Sequence, residues 1–317
     1  MTSSKRNIAA SVAARLLNQA KATGDDYQTL LTAFAFERFL YRLGLSELRD
    51  RFVLKGAMLL RIWDDRPYRA TRDLDLLRRG ERSFEAVRAD METICAWPAE
   101  PDGIVFDTDS IRIETIRAED KEGGIRAILP ALCGSARLPL QIDMAFGSEV
   151  WPKPRLCSYP TLLNFPTPEV MAYPREAVVA EKLEALIILG DRNSRIKDFF
   201  DLHYLACRFT FDRETLVESI RRTFARRTTP VPAETPIGLT PDYWTNPSRP
   251  AQVRAFARRT GLEPPADPSR ELGGLLTSFL LPVLEDLRQG ESQKGSWPPG
   301  GPWGTRPGAQ RKGKKDG

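Results

Sequence analysis

Two hydrophobic periods alternate along this chain. Residues 5–22 carry apolar side chains from Ile8 to Leu17 at helical spacing and stop at Gly24. Asp25 or Asp26 then caps a second helix, whose apolar stripe is Tyr27, Leu30, Leu31, Phe34, Phe39, Leu40 and Leu43, with Gly44 as its expected end. Residues 46–50 read as a short helical turn. Residues 52–54 are a β-type run halted by Lys55-Gly56, and residues 57–63 read as one or two helical turns. Beyond Pro67 the period changes to two, with Thr71-Arg72-Asp73-Leu74-Asp75-Leu76 alternating as a half-buried strand does. Ser83 opens a helix to about Cys95, and residues 98–103 form a turn.

Three β-type runs follow, at 104–117, 124–133 and 137–146, with a hairpin turn at Gly123-Gly124. In the last run Leu138, Leu140, Ile142 and Met144 share one face, and Gln141 and Asp143 the other. Pro152, Pro154, Pro160, Pro166 and Pro168 bar central strand or helix interior from 147–173, which reads as a connector. Pro174 starts a helix to about Leu189. After Gly190 a second helix runs through 194–205, and more helices are expected at 212–227, 248–260 and 269–288. From Gln289 the chain is mostly Gly, Pro, Lys and Arg, with Trp297 and Trp303 almost its last apolar residues, a composition expected to stay disordered. The expectation is an α+β fold: a mixed sheet with flanking helices over 1–165, a helical domain over 166–288, and a tail over 289–317.

Composition adds few constraints. With 317 residues, 41% hydrophobic and 28% charged, the chain has room for two ordinary domains, or one with a helical extension. No apolar run approaches a membrane span, and Met1-Thr2-Ser3-Ser4-Lys5 has no signal-type apolar core, so a cytoplasmic protein without a membrane partner is expected. Cys95, Cys133, Cys157 and Cys207 form no C-x-x-C pair and read as reduced thiols, and the lone His203 cannot build a zinc site. Of the net charge of +5, residues 291–317 supply +4, leaving the body almost neutral. Any RNA contact therefore needs a local patch, such as Arg221, Arg222, Arg226, Arg227, Arg254, Arg258 and Arg259.

The chemistry is carried by acids. Asp73 and Asp75, two apart on a strand, put two carboxylates on one face, and they repel unless a cation lies between them. A hard ion such as Mg²⁺ takes oxygen ligands of this type and keeps room for phosphates. Lys55 offers a point charge and Gly56 a turn whose backbone N–H groups suit phosphate. Asp143, a single acid in an apolar strand, is costly unless it is paired or metal-bound.

Lys55-Gly56-Ala57, followed by Arg69-x-Thr71-x-Asp73-x-Asp75-Leu76, resembles the first motif of the AbiEii/AbiGii-type, MenT-like nucleotidyltransferase toxins. These belong to the DNA-polymerase-β-like nucleotidyltransferase superfamily. Ala57-Met58 replaces the family's usual Gly-Thr. Glu181-Lys182-Leu183-x-Ala185, a polar turn, then Arg195-x-Lys197-Asp198-Phe199-Phe200-Asp201-Leu202 is similar to the later motifs.

The resemblance covers about residues 27–205. It implies transfer of a nucleotidyl group from an NTP, with pyrophosphate released and a pair of Mg²⁺ ions on Asp73, Asp75 and Asp143. Lys55, Gly56 and Lys182 would hold the β- and γ-phosphates. Asp198 would orient Lys182 or touch substrate. Thr71 and Arg72 would line the nucleotide, with Arg192 and Lys197 also placed there but, like Arg195 and Asp201, as weaker candidates. The same resemblance implies a toxin of a bacterial toxin–antitoxin, abortive-infection system. Its acceptor would be a tRNA 3′ end and its partner an AbiEi-like antitoxin. A non-catalytic nucleotide-binding protein and an enzyme modifying protein hydroxyls are the rival readings.

Overall fold

The structure is a computed structural model that describes residues 2–64, 71, 73–116, 123–147, 149–192 and 195–304. The chain divides into two compact units, Met1–Tyr173 and Pro174–Gly317.

The first unit begins with helices α1 (Thr2–Thr23) and α2 (Tyr27–Leu45). Asp26 caps α2 by accepting a hydrogen bond from the Thr29 amide at 2.8 Å. Leu30, Leu31, Phe34, Phe39, Leu40 and Leu43 are all buried, as the stripe requires. Gly44 does not end α2, which runs on to Leu45. A Cβ on Gly44 would lie 2.5 Å from the Glu169 carbonyl oxygen, so this glycine serves a close approach of backbones rather than a cap. Charged groups on the buried side of α2 are paired: Arg42 grips Asp102 at 2.7 and 3.2 Å, and Arg38 donates to Glu37 and to the Pro166 carbonyl.

The sheet follows: β1 (Phe52–Lys55), then α3 (Leu59–Trp63), β2 (Asp73–Arg78), α4 (Phe84–Ala96), β3 (Ile104–Phe106), β4 (Arg112–Ile116), β5 (Gly124–Cys133), β6 (Ala136–Phe146), β7 (Arg155–Ser158) and β8 (Glu169–Ala172). Among the described residues the strand order is β3-β5-β6-β2-β1-β8-β7, with β4 also on β5. β2 pairs with β6, and β1 with β8, in parallel, while the other pairings are antiparallel. It is the mixed sheet expected.

Two expectations about this region fail. The run 104–117 is not one strand: a 3₁₀ turn at Thr108–Ser110 breaks it, and its halves pair with opposite ends of β5. The polar Asp107-Thr108-Asp109-Ser110 segment favours such a turn. The proline-rich stretch is also more than a connector. β7 and β8 form between its prolines and extend the sheet beyond β1.

The second unit holds α5 (Arg175–Leu189), α6 (Ile196–Arg208), β9 (Phe211–Asp212), α7 (Arg213–Arg226), α8 (Pro241–Thr245), α9 (Arg249–Thr260), α10 (Leu275–Gln289) and β10 (Ser296–Trp297). A π-helical stretch, Ser269–Gly274, leads into α10. The expected disorder from Gln289 is corrected as far as residue 304. β10 pairs with β9, Trp297 is buried against Phe279 at 4.9 Å between ring centroids, and its indole N–H donates to the Ala206 carbonyl at 2.7 Å. Trp303 stacks on the same Phe279. Composition suggested a tail that could not fold alone, but it docks on an aromatic surface already made by Phe211 and Phe279.

Candidate functional site

In the first unit the strand registers align charged residues in one row across five strands. Glu114 on β4 is opposite Arg126 on β5, Arg126 is opposite Asp143 on β6, Asp143 is opposite Asp75 on β2, and Asp75 is opposite Lys55 on β1. Directly paired residues point to the same side of a sheet, so all five share a face. Asp73, two residues before Asp75, joins that face beside Gln141. Leu74, between them, and Leu76, just after them, are fully buried on the other side. The Asp-x-Asp alternation therefore does what the pattern predicts.

Gly56 follows Lys55 with φ +71°, and a Cβ there would lie 2.0 Å from an Asp75 carboxylate oxygen. Only glycine fits both the left-handed backbone and that contact. Residues Gly56–Met58 form a 3₁₀ turn that leads into the five-residue α3. The Lys55 ammonium lies 5.5 Å from the centre of the Tyr173 ring. Thr71 donates its hydroxyl to Asp73 Oδ1 at 2.6 Å, which holds that carboxylate in place. Arg72, expected on the nucleotide, lies outside the described residues.

Asp143 is not open. Arg126 donates through Nε and Nη2 to its two oxygens at 2.7 and 2.8 Å, and the Gln141 amide adds a contact at 3.3 Å. This is the bidentate geometry that makes arginine–carboxylate pairs strong. The hydrogen bonds to Asp143 raise the Arg126 pKa; burial opposes them, and the charges of Asp143, Glu114 and Asp73 add to the rise. Among the described residues no group of three or more His, Cys, Asp or Glu side chains stands assembled as a metal centre. Asp73, Asp75 and Asp143 share a face, but the third carboxylate is turned to a guanidinium. Arg126 is the residue that sequence reasoning passed over. Its signal was present: a two-residue turn after Cys133, with Gly134 at φ +61°, pairs Cys133 with Ala136 and so carries Arg126 opposite Asp143.

In the second unit Lys182 on α5 reaches α6, and its ammonium donates to Asp198 Oδ1 and Asp201 Oδ2, both at 2.7 Å. Both carboxylates are buried, and Asp198 also pairs with Arg195 at 2.8 Å. Burial works to lower the Lys182 pKa, but the two carboxylates outweigh it and the net shift is upward. The sequence alone has Lys182 reaching for phosphate. Here it is engaged by two acids, one of them the partner expected and the other, Asp201, a stronger participant than expected. Lys197 is exposed on α6 and Arg192 is exposed in the turn Gly190–Arg192.

The expected basic surface is partly consumed within the unit. Arg226 pairs with Glu181 and Arg227 with Glu184, both acids on α5, while Arg221 and Arg222 pair with Glu218. An arginine count on α7 has no means of seeing the two acids on α5, whereas Glu218 lies on α7 itself, three and four residues before Arg221 and Arg222.

The family described as nucleotidyl transferase AbiEii toxin, type IV toxin–antitoxin system, matches residues 38–277, most of the chain. The chain belongs to the AbiEii family. It is thus a nucleotidyltransferase of the toxin half of such a system, and the matched region contains Lys55, Asp73, Asp75, Asp143, Lys182 and Asp198. Solved structures to which the chain is similar include JHP933 from Helicobacter pylori, at 14% identity and TM-score 0.49, covering 84% of this chain and 95% of that one. Another is the nucleotidyltransferase toxin MenT4 from Mycobacterium tuberculosis, at 21% identity and TM-score 0.48, covering 88% and 98%. A putative nucleotidyltransferase from H. pylori is similar at 14% identity and TM-score 0.48, covering 84% and 100%. A search of curated proteins gives no match. No helix among the described residues is long and apolar enough to cross a membrane.

Proposed function

We propose that this AbiEii-family enzyme moves a nucleotidyl group from an NTP to the 3′ end of a tRNA, in a Mg²⁺-dependent reaction, and that an AbiEi-like antitoxin opposes it. The observation that carries the reading is the row of Asp143, Asp75 and Lys55 with Asp73 beside it on one sheet face. Its oxygen donors are of the hard type that magnesium prefers, and Gly56, having no Cβ, lets the Asp75 carboxylate lie against its backbone. Asp73 and Asp75, with Asp143 once it is released from Arg126, would hold the metal, which when bound supplies charge neutralisation at the phosphates.

The protein's own groups do the rest. Thr71 fixes the Asp73 carboxylate through its hydroxyl. Lys55 adds positive charge next to Asp75, where a triphosphate needs it. The acceptor oxygen bonds the α-phosphorus as the bond from that phosphorus to the α,β-bridging oxygen breaks; the hydroxyl proton passes to solvent and the bridging oxygen leaves with pyrophosphate.

The test is incubation of the full chain with each radiolabelled NTP, Mg²⁺ and total tRNA, resolved on a denaturing gel, beside Asp75→Asn. Label in tRNA that disappears in Asp75→Asn supports the reading. Label in protein instead would establish protein modification, and no label with any NTP would favour a non-catalytic nucleotide-binding role.

A further inference from the structure

Arg126 lies between two acids. On one side both oxygens of Asp143 accept its Nε and Nη2 at 2.7 and 2.8 Å. On the other, Glu114 is its register partner on β4, with Oε1 3.9 Å from Nη1. A divalent cation binds a carboxylate through the same oxygens that this guanidinium occupies. The two cations are therefore alternatives at Asp143. Both need the charge, and the fork geometry of Arg126 leaves no oxygen of Asp143 outside its reach.

The surroundings favour an exchange over a fixed structural pair. Arg126 retains 29% side-chain exposure and Glu114 52%, so rotation of the guanidinium toward β4 meets solvent and not packed core. A guanidinium that leaves Asp143 passes to Glu114, already within ion-pair distance, and no charge is stranded. Other pairs of this unit differ. Arg42 with Asp102, and Arg78 with Asp90, are buried on both sides of the pair and read as scaffold.

We propose that Arg126 is a positioning residue that competes with a divalent cation for Asp143 and passes to Glu114 when the cation binds. It thereby sets the cation concentration at which the third carboxylate joins Asp73 and Asp75. The inference rests on the metal-dependent reading above. Arg126 contacts no phosphate in this scheme; it acts through Asp143.

The test uses Mn²⁺ alone as probe, titrated into the full chain and followed by the electron paramagnetic resonance signal of free Mn²⁺, without nucleotide. Arg126→Met keeps the apolar stem and removes the competitor. It should lower the Mn²⁺ Kd by about tenfold, the scale of one charge-assisted pair. Arg126→Lys keeps the charge but loses the bidentate fork and should fall between the two. In an Asp143→Asn background Arg126→Met should change nothing, because the shared ligand is gone. Glu114→Gln removes the second resting place. It should weaken Mn²⁺ binding while Arg126 is present, but not in the Arg126→Met background.

An unchanged Kd in Arg126→Met overturns the proposal. So does an equal gain with and without Asp143, which would mark simple removal of a positive charge. If Arg126→Met fails to fold, Arg126→Lys and Glu114→Gln decide by the same criteria. Wild-type binding that is lost in Asp75→Asn but insensitive to Arg126 would overturn this inference and leave the metal reading standing. No Mn²⁺ binding by the wild type would overturn both.

Discussion

At the scale of single residues, the charged sheet face depends on small tolerances. Gly56 has the sharpest one. A methyl group there would enter the Asp75 carboxylate and also hold a left-handed backbone, so Gly56→Ala should destabilise the first unit by about 1–3 kcal/mol. Urea unfolding of the purified variant measures this, and a midpoint equal to wild type would contradict the contact. Asp75→Asn is a different kind of change. It keeps size and shape while removing the charge that a metal ion would use, and transfer should fall by about 10²-fold or more. Its circular dichroism spectrum should match wild type. Loss of folded signal at 25 °C would instead assign Asp75 a structural role.

At the scale of elements, the α5–α6 pair is joined by Lys182, Asp198 and Asp201. Removing one partner of a buried ionic network leaves the others uncompensated, at a cost of about 3–5 kcal/mol. Lys182→Ala should therefore lower the urea midpoint sharply, and lost activity in that variant does not by itself show a phosphate contact. The combination Lys182→Met, Asp198→Asn, Asp201→Asn should recover much of the stability, because the stranded charges are gone. Recovery of stability without recovery of transfer would assign the network to function; no recovery of stability would show that shape and not charge is at stake. The network also has a pH signature. The Lys182 pKa is raised in the folded protein above its ordinary 10.5, so its contribution is complete below that pH. It is lost as pH climbs above 10.5 through the folded-state value. A wild-type midpoint that falls there more steeply than that of the triple variant is the expected result.

At the scale of the whole molecule, the stretch after α10 matters to the second unit. Its backbone adds Ser296 to Asp212 across β9 and β10, and its two tryptophans lie on Phe279. Trp297→Ala should cost about 3–5 kcal/mol, the range for emptying a buried aromatic site. A chain ending at Gln289 should lose at least as much, read as a lower melting temperature. A truncated protein as stable as the full one would return the segment to a dispensable tail.

Features that depend on neighbours along the chain can be read from residue order alone. Period-two alternation put Asp73 and Asp75 on one face and Asp143 on the polar side of β6. Asp26 and Ser83 announced their helices, and Ser83 does accept from the Ala86 amide. Pro174 and Gly190 bounded α5, and two successive helices brought Lys182 to Asp198. Each of these follows from backbone geometry within a few residues. The Arg126–Asp143 pair lies at the margin, because a two-residue turn fixes that register locally, while alternation alone names no partner for Arg126.

Tertiary structure decided what no local rule reaches. β2 adjoins β6 across a long stretch of chain and β1 on its other side, and only that order lines up Lys55, Asp75 and Asp143. Gly44 looked like a helix stop because the Glu169 backbone that it admits lies far along the sequence. The arginines of α7 looked available because the acids that engage Arg226 and Arg227 are on α5. The last segment looked unable to order because two tryptophans are too few to make a core, yet they suffice to complete one. Hydrophobic burial and charge pairing depend on what is near in space, and a composition count sees only what is near in the chain.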